Sequence, residues 1–240
     1  MTTTLAPRRS GGVRAVLPAL AVAPLLRHAI AVHAVPDDQP WRTACPCRKP
    51  LWPHAISPSG RCAGCGVRIG APPYTVEAAT LVGAAGLLLS GLGGFTLAAF
   101  TWWTATMIAL AFVDLAVMRL PHRITAAATA GFLGLLALGG PSGAWWRAVA
   151  AGVVVAVFFA VLAVFSRGQL GWGDVTLAVP VAAALGWHSW TAVYAGVLLG
   201  LGTAALTAIT LRRLGRLAAG TSLPLGPFLI AAAYTVAIWP

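Results

Sequence analysis

Of the 240 residues, 59% are apolar and 9% are charged, against about 25% charged in an ordinary soluble domain. So few charged side chains could not cover a soluble globule of this size without large apolar patches. The apolar content excludes a disordered chain, and four cysteines are too few for a disulfide-stapled secreted domain. A polytopic membrane protein remains, with sixteen Lys plus Arg and five carboxylates. The carboxylates are Asp37, Asp38, Glu77, Asp114 and Asp174.

A helix needs roughly 20 apolar residues to cross about 30 Å of hydrocarbon. Apolar runs bounded by Arg, Pro and Gly clusters predict eight spans, at 13–33, 75–92, 95–117, 124–140, 144–165, 175–188, 190–211 and 222–239. The fold class is therefore all-α, a membrane protein of about eight transmembrane helices. The first span is interrupted by Arg27 and His28, and the sixth is short and contains Pro180, which favours a tilt, a kink or partial entry. Three segments result: an N-terminal tail with the first span (1–33), a cysteine-bearing segment (34–74) and a seven-span membrane domain (75–240).

Basic residues mark cytoplasmic loops. Arg42, Arg48, Lys49, Arg61 and Arg68 lie in 34–74, Arg119 and Arg123 follow span three, Arg167 follows span five, and Arg212, Arg213 and Arg216 follow span seven. The alternate loops hold only Arg147. The pattern fits eight spans with both termini outside, although Arg8, Arg9 and Arg14 count the other way. An alternative N-terminus is a secretory signal cleaved after Val32-His33-Ala34, a loose small-x-small site.

In the second segment, Cys45-Pro46-Cys47 and Cys62-Ala63-Gly64-Cys65 form two close pairs separated by 14 residues. Four thiolates so spaced suit one structural Zn²⁺, and a short Pro-rich segment without a core of its own needs such a staple. The C-x-C spacing is tighter than usual, His54 is a possible substitute ligand, and disulfides or free thiols are the plain alternative.

Asp37 and Asp38 fall in a polar linker, and Glu77 opens span two, where a helix N-terminus favours an acid. Asp114 and Asp174 lie within apolar surroundings, and a carboxylate at membrane depth is costly enough to be a functional candidate. Asp114 precedes Arg119, at the inner end of span three, by about 7.5 Å at 1.5 Å per residue, and Asp174 occupies the first turn of span six. The two acids thus meet at one level, near the cytoplasmic surface. Such a pair can share a proton and activate water, as in aspartic proteases. Gly171 and Gly173 are expected to free the backbone and admit a substrate strand. A proton-coupled transporter is the second functional class that uses such a pair, although its acids more often sit at the midplane.

At these residues the chain resembles the type IV prepilin peptidase family. The features are the cysteine segment, Asp114 followed by Leu120-Pro121-His122-Arg123-Ile124-Thr125, the GxGD run Gly171-Trp172-Gly173-Asp174, and Leu223-Pro224-Leu225-Gly226-Pro227-Phe228. The resemblance implies a membrane aspartic protease with Asp114 and Asp174 as its dyad and Cys45, Cys47, Cys62 and Cys65 on zinc in a cytosolic loop. It further implies a multi-pass protein of the inner (plasma) membrane that cuts prepilin-like leaders at the cytoplasmic face. Many bacterial members also N-methylate the new N-terminus with S-adenosylmethionine. Here Ala23-Pro24-Leu25-Leu26-Arg27 replaces the Gly-Ser-Phe-Leu-Asn-type motif of bifunctional members. The tryptophans at span ends suggest an interfacial belt, His122 and His188 are expected in solvated loops, and Arg212, Arg213 and Arg216 suit anionic lipid or topology. The basic surplus is an orientation signal and implies no nucleic-acid partner.

Overall fold

The computed structural model describes residues 12–36, 38–139, 141–166, 170–218 and 223–239, with the side chains of 12–19 also left out of the description. Arg8, Arg9, Asp37, Arg167 and the Arg14 side chain, all weighed above, lie outside the described residues. The described chain is helical: α1 Gly12–His33, α2 Leu51–His54 (a single turn), α3 Thr75–Leu89, α4 Gly94–Val117, α5 His122–Gly139, α6 Ser142–Phe165, α7 Trp172–His188, α8 Trp190–Arg213 and α9 Gly226–Ile238. Strand-like pairing among the described residues is limited to two isolated bridges, Ala44 with Pro50 and Arg61 with Arg68.

Each expected span corresponds to a helix whose ends fall within four residues of those read from the sequence. Three of them, α4, α6 and α8, are long and apolar enough by themselves to cross a membrane. Helices α3 and α9 have 15 and 13 residues, about 22 and 20 Å at 1.5 Å per residue. Helix α7 sits inside the bundle, packed against α5, α6, α8 and α9. Its turns from Leu177 to Trp187 are almost wholly buried, and Pro180 does not interrupt it.

Small residues let α6 approach α7 closely, as such residues do in membrane bundles. A Cβ at Gly186 would stand 2.5 Å from the Ala151 Cβ and 3.0 Å from the Arg147 carbonyl oxygen. The Arg147 guanidinium closes the far end of α7, donating to the carbonyls of Gly186, Trp187 and His188 at 2.7, 2.6 and 2.9 Å. These bonds satisfy carbonyls that a helix C-terminus leaves open.

The aromatic belt is only partly present. Trp146 and Trp239 are exposed, but Trp103 is buried in the core and its Nε1–H donates to the Pro180 carbonyl at 2.8 Å, joining α4 to α7. Trp187 is buried as well. His188 is no solvated loop residue either; it ends α7 half-buried, with its ring 5.5 Å from that of Phe100. The apolar environment at these chain positions outweighs any pull toward an interface.

Arg27 and His28 do not break α1. Arg27 is 2% exposed, and Nε and Nη2 donate to the two carboxylate oxygens of Glu77, each at 2.6 Å. Nη1 and Nη2 also reach the carbonyls of Ala71 and Pro72 at 3.4 and 3.2 Å. Glu77 is therefore the partner of a buried guanidinium as well as the opening acid of α3.

Candidate active site

Two helix ends and the start of a third converge at one end of the bundle. Asp114 lies one turn before the end of α4, whose last turn closes when the N–H of Met118 donates to the Asp114 carbonyl at 2.8 Å. Asp174 lies in the first turn of α7, with its N–H donating to the Gly171 carbonyl at 3.0 Å. Gly226 opens α9, and its N–H donates to Asp114 Oδ2 at 3.0 Å. That bond joins positions 112 apart in the chain.

Asp114 and Asp174 line one open cavity of about 350 Å³. Asp114 is buried at 4% exposure, and Asp174 is half-buried. The other walls include Trp41, Arg119, His122 and Trp172. Two carboxylates so placed can hold one proton between them, because like charges a few Å apart do not both ionise cheaply.

The glycines of the GxGD run act otherwise than the sequence suggested. Neither Gly171 nor Gly173 has a positive φ. At Gly173 the reason for glycine is packing, since a Cβ would stand 3.0 Å from the Leu120 Cβ. Gly171 leaves the wall of the cavity bare beside Asp174 Oδ2.

The four cysteines come together away from these carboxylates. Each pair sits on a tight loop. In the first, Cys45 N–H donates to the Lys49 carbonyl at 2.9 Å and Arg48 takes a left-handed φ of 62°. In the second, Cys62 N–H donates to the Val67 carbonyl at 2.9 Å, and Gly66 has a φ of 71°. The left-handed residue lets the tighter C-x-C pair turn back on itself.

All four thiols are free, and their sulfurs lie within 4.8 Å of one another. The Cys45–Cys65 and Cys47–Cys62 separations are 3.3 and 3.8 Å. Tetrahedral Zn–S bonds of about 2.3 Å require sulfurs about 3.8 Å apart, so the donor set fits zinc. His54 is not part of the group. The amide of Gly64, with that of Cys65, pulls the Cys62 thiol down to about 6, whereas burial pushes Cys45 up to about 12. Backbone amides aimed at a sulfur favour the thiolate that a metal binds.

Trp41, Arg119 and the Gly226 amide escaped the sequence reading as site groups. The Gly226 motif stood out only through resemblance. Nothing in its own spacing announces a contact with α4.

A family model described as the type IV leader peptidase family matches residues 99–238. The prepilin leader peptidase/N-methyltransferase of Bacillus subtilis (strain 168) is 30% identical over 202 residues, covering 79% of this chain and 78% of that protein. The protein of the same name from Aeromonas salmonicida (strain A449) is 30% identical over 213 residues, 82% of this chain and 71% of its own. That of Aeromonas hydrophila is 30% identical over 223 residues, with coverages of 85% and 75%. No solved structure is a significant match. The family match spans α4 to α9 and so takes in both carboxylates and the amide that meets one of them; this chain belongs to the type IV leader peptidase family.

Proposed function

We propose that the protein is a membrane aspartic endopeptidase that removes the leader of prepilin-like precursors at the cytoplasmic face of the inner membrane, with Asp114 and Asp174 as its dyad. The observation that carries this reading is the shared cavity, in which two carboxylates from apolar helices face one open space at the end of the bundle. A precursor whose apolar helix stays in the bilayer would present its leader junction at that depth.

The Gly226 N–H on Asp114 favours the anion there. Asp114 therefore takes a proton from water as the hydroxide oxygen adds to the scissile carbonyl carbon. Asp174, protonated, donates a hydrogen bond to the carbonyl oxygen as negative charge develops on it. The proton on Asp114 then passes to the leaving amine as the C–N bond breaks.

The cysteine group would hold structural Zn²⁺, with four thiolates filling the coordination shell. Eight spans with both termini outside follow from the alternation of basic loops. In that arrangement 1–33 is tail and first span, 34–74 the cytoplasmic zinc segment, and 75–240 the catalytic membrane domain. The relatives' names also carry an N-methyltransferase activity. The proton-relay transporter is not adopted, because the family is a peptidase family and the acids lie near helix ends.

Asp114→Asn and Asp174→Asn should each lower leader cleavage by at least about a thousandfold, as loss of one member of a catalytic unit does. Protein level should stay unchanged. Cleavage of a prepilin-like precursor in proteoliposomes reads the effect, and normal processing by either variant would refute the dyad.

A further inference from the structure

Trp41 precedes the first cysteine by four positions, yet it lines the carboxylate cavity, which is formed otherwise by α4, α5, α7 and their connecting loops. It belongs to none of the apolar cores. Two side chains pack on its indole. The Arg119 guanidinium carbon lies 3.9 Å from the ring centroid, and the His33 ring packs at 4.8 Å with a tilt of 57°. Arg119 Nη1 also donates to the carbonyls of Pro36 and Gln39 at 3.1 and 3.3 Å. Next in the chain, Arg42 ties itself back to α1, with its N–H on the Val32 carbonyl at 2.9 Å and Nη1 on the Ala31 carbonyl at 3.1 Å.

A half-buried indole with this many restraints is fixed although it lies outside the apolar cores. It lines the same space as the two carboxylates, as does Trp172, 61% exposed. Rigid aromatic faces supply contact area at low entropic cost, and ordering them beforehand lowers the cost of binding. An extended peptide laid across the dyad would pass between these walls.

We propose that Trp41 is a substrate-binding residue of this cavity, packing against the peptide beside the scissile bond, and that Arg119 is the positioning residue that holds it there. The inference rests on the peptidase reading and names what its substrate touches. It also gives the cysteine segment a part in substrate binding, through the linker that ends in Trp41.

The test uses the full-length protein in proteoliposomes with a synthetic peptide made of a basic leader followed by an apolar helix. Trp41→Ala should raise KM about tenfold while kcat changes less than about threefold, the pattern of lost uniform binding. Trp41→Phe should recover most of the loss. Arg119→Lys keeps the charge but not the planar stack, and should raise KM to an intermediate value. In a second arm, the Asp114→Asn protein binds a fluorescent form of the peptide without cutting it, and Trp41→Ala in that background should weaken binding about tenfold.

If the otherwise unaltered protein fails to cut the peptide, the peptidase reading falls, and the binding arm still decides the role of Trp41. Unchanged KM and binding with Trp41→Ala, or a fall in kcat alone, overturns the inference. Thermal unfolding of each variant separates local loss from collapse. Where Trp41→Ala does not fold, Trp41→Leu keeps apolar bulk and is read against the same outcomes.

Discussion

The carboxylate of Asp114 is all but withdrawn from solvent, and its Oδ2 accepts the N–H of Gly226 at 3.0 Å. A Cβ at position 226 would stand 2.7 Å from that same oxygen and 3.1 Å from Leu177 Cδ2. Only a residue without a side chain brings the start of α9 this close. Gly226→Ala should therefore push Asp114 out of place and lower kcat by about ten- to hundredfold, the cost of a misplacement of up to about 1 Å. Steady-state kinetics on the purified variant measure it, with thermal unfolding as control; wild-type kcat would show that the close approach of Gly226 does not position Asp114. That both acids lie near helix ends could be read from the chain, because the helical rise converts sequence distance into position along a helix. The Gly226 contact could not, because it depends on which helices are neighbours.

At the level of whole helices, the same limit governs α1. Arg27 reads as a fault in an apolar run, and Glu77 reads as an ordinary helix-opening acid. Side by side they form a two-pronged ion pair that docks α1 on α3, with the Ala71 and Pro72 carbonyls taking the remaining guanidinium capacity. Breaking such a pair from one side strands a buried charge, which costs more than the pair itself contributes. Glu77→Ala should destabilise the protein by about 3 kcal/mol. Adding Arg27→Met should return part of that loss, since the stranded charge is then gone. A double-mutant cycle of unfolding in detergent reads both, and an unchanged melting temperature for Glu77→Ala would contradict the docking role. Helix positions were legible because apolar length and Pro, Gly and Arg boundaries are local properties. The pairing of Arg27 with Glu77 was not, since charge type alone does not choose among partners.

Across the whole molecule, two kinds of cohesion meet at the carboxylate end. Helices α3 to α9 share one extensive apolar core and α1 joins α3 and α4 in a second, whereas the cysteine segment has a small one of Ala31, Cys45, Leu51, Ala55, Cys62 and Ile69. Two of those six are proposed ligands, so the segment depends on the metal where the bundle does not. Cys62→Ser should reduce bound zinc from about one per chain to near none. Trypsin should then cut at Arg48, Arg61 or Arg68, while far-UV helicity falls little. The linker from the zinc segment carries Trp41 to the cavity, so KM for a prepilin-like peptide should rise with kcat less affected. Strong chelation of the intact protein should do the same and be reversed by added Zn²⁺. A fall in kcat with KM unchanged would separate the segment from substrate binding and leave it a fold element alone. The expected rise in KM follows from connectivity: none of the four cysteines lines the cavity, but the linker that carries Trp41 is pinned at one end by Arg119 and at the other by the cysteine group. Releasing the second pin leaves Trp41 held by Arg119, His33 and the Arg42 tie to α1, and the entropy of ordering the freed chain again falls on the bound substrate.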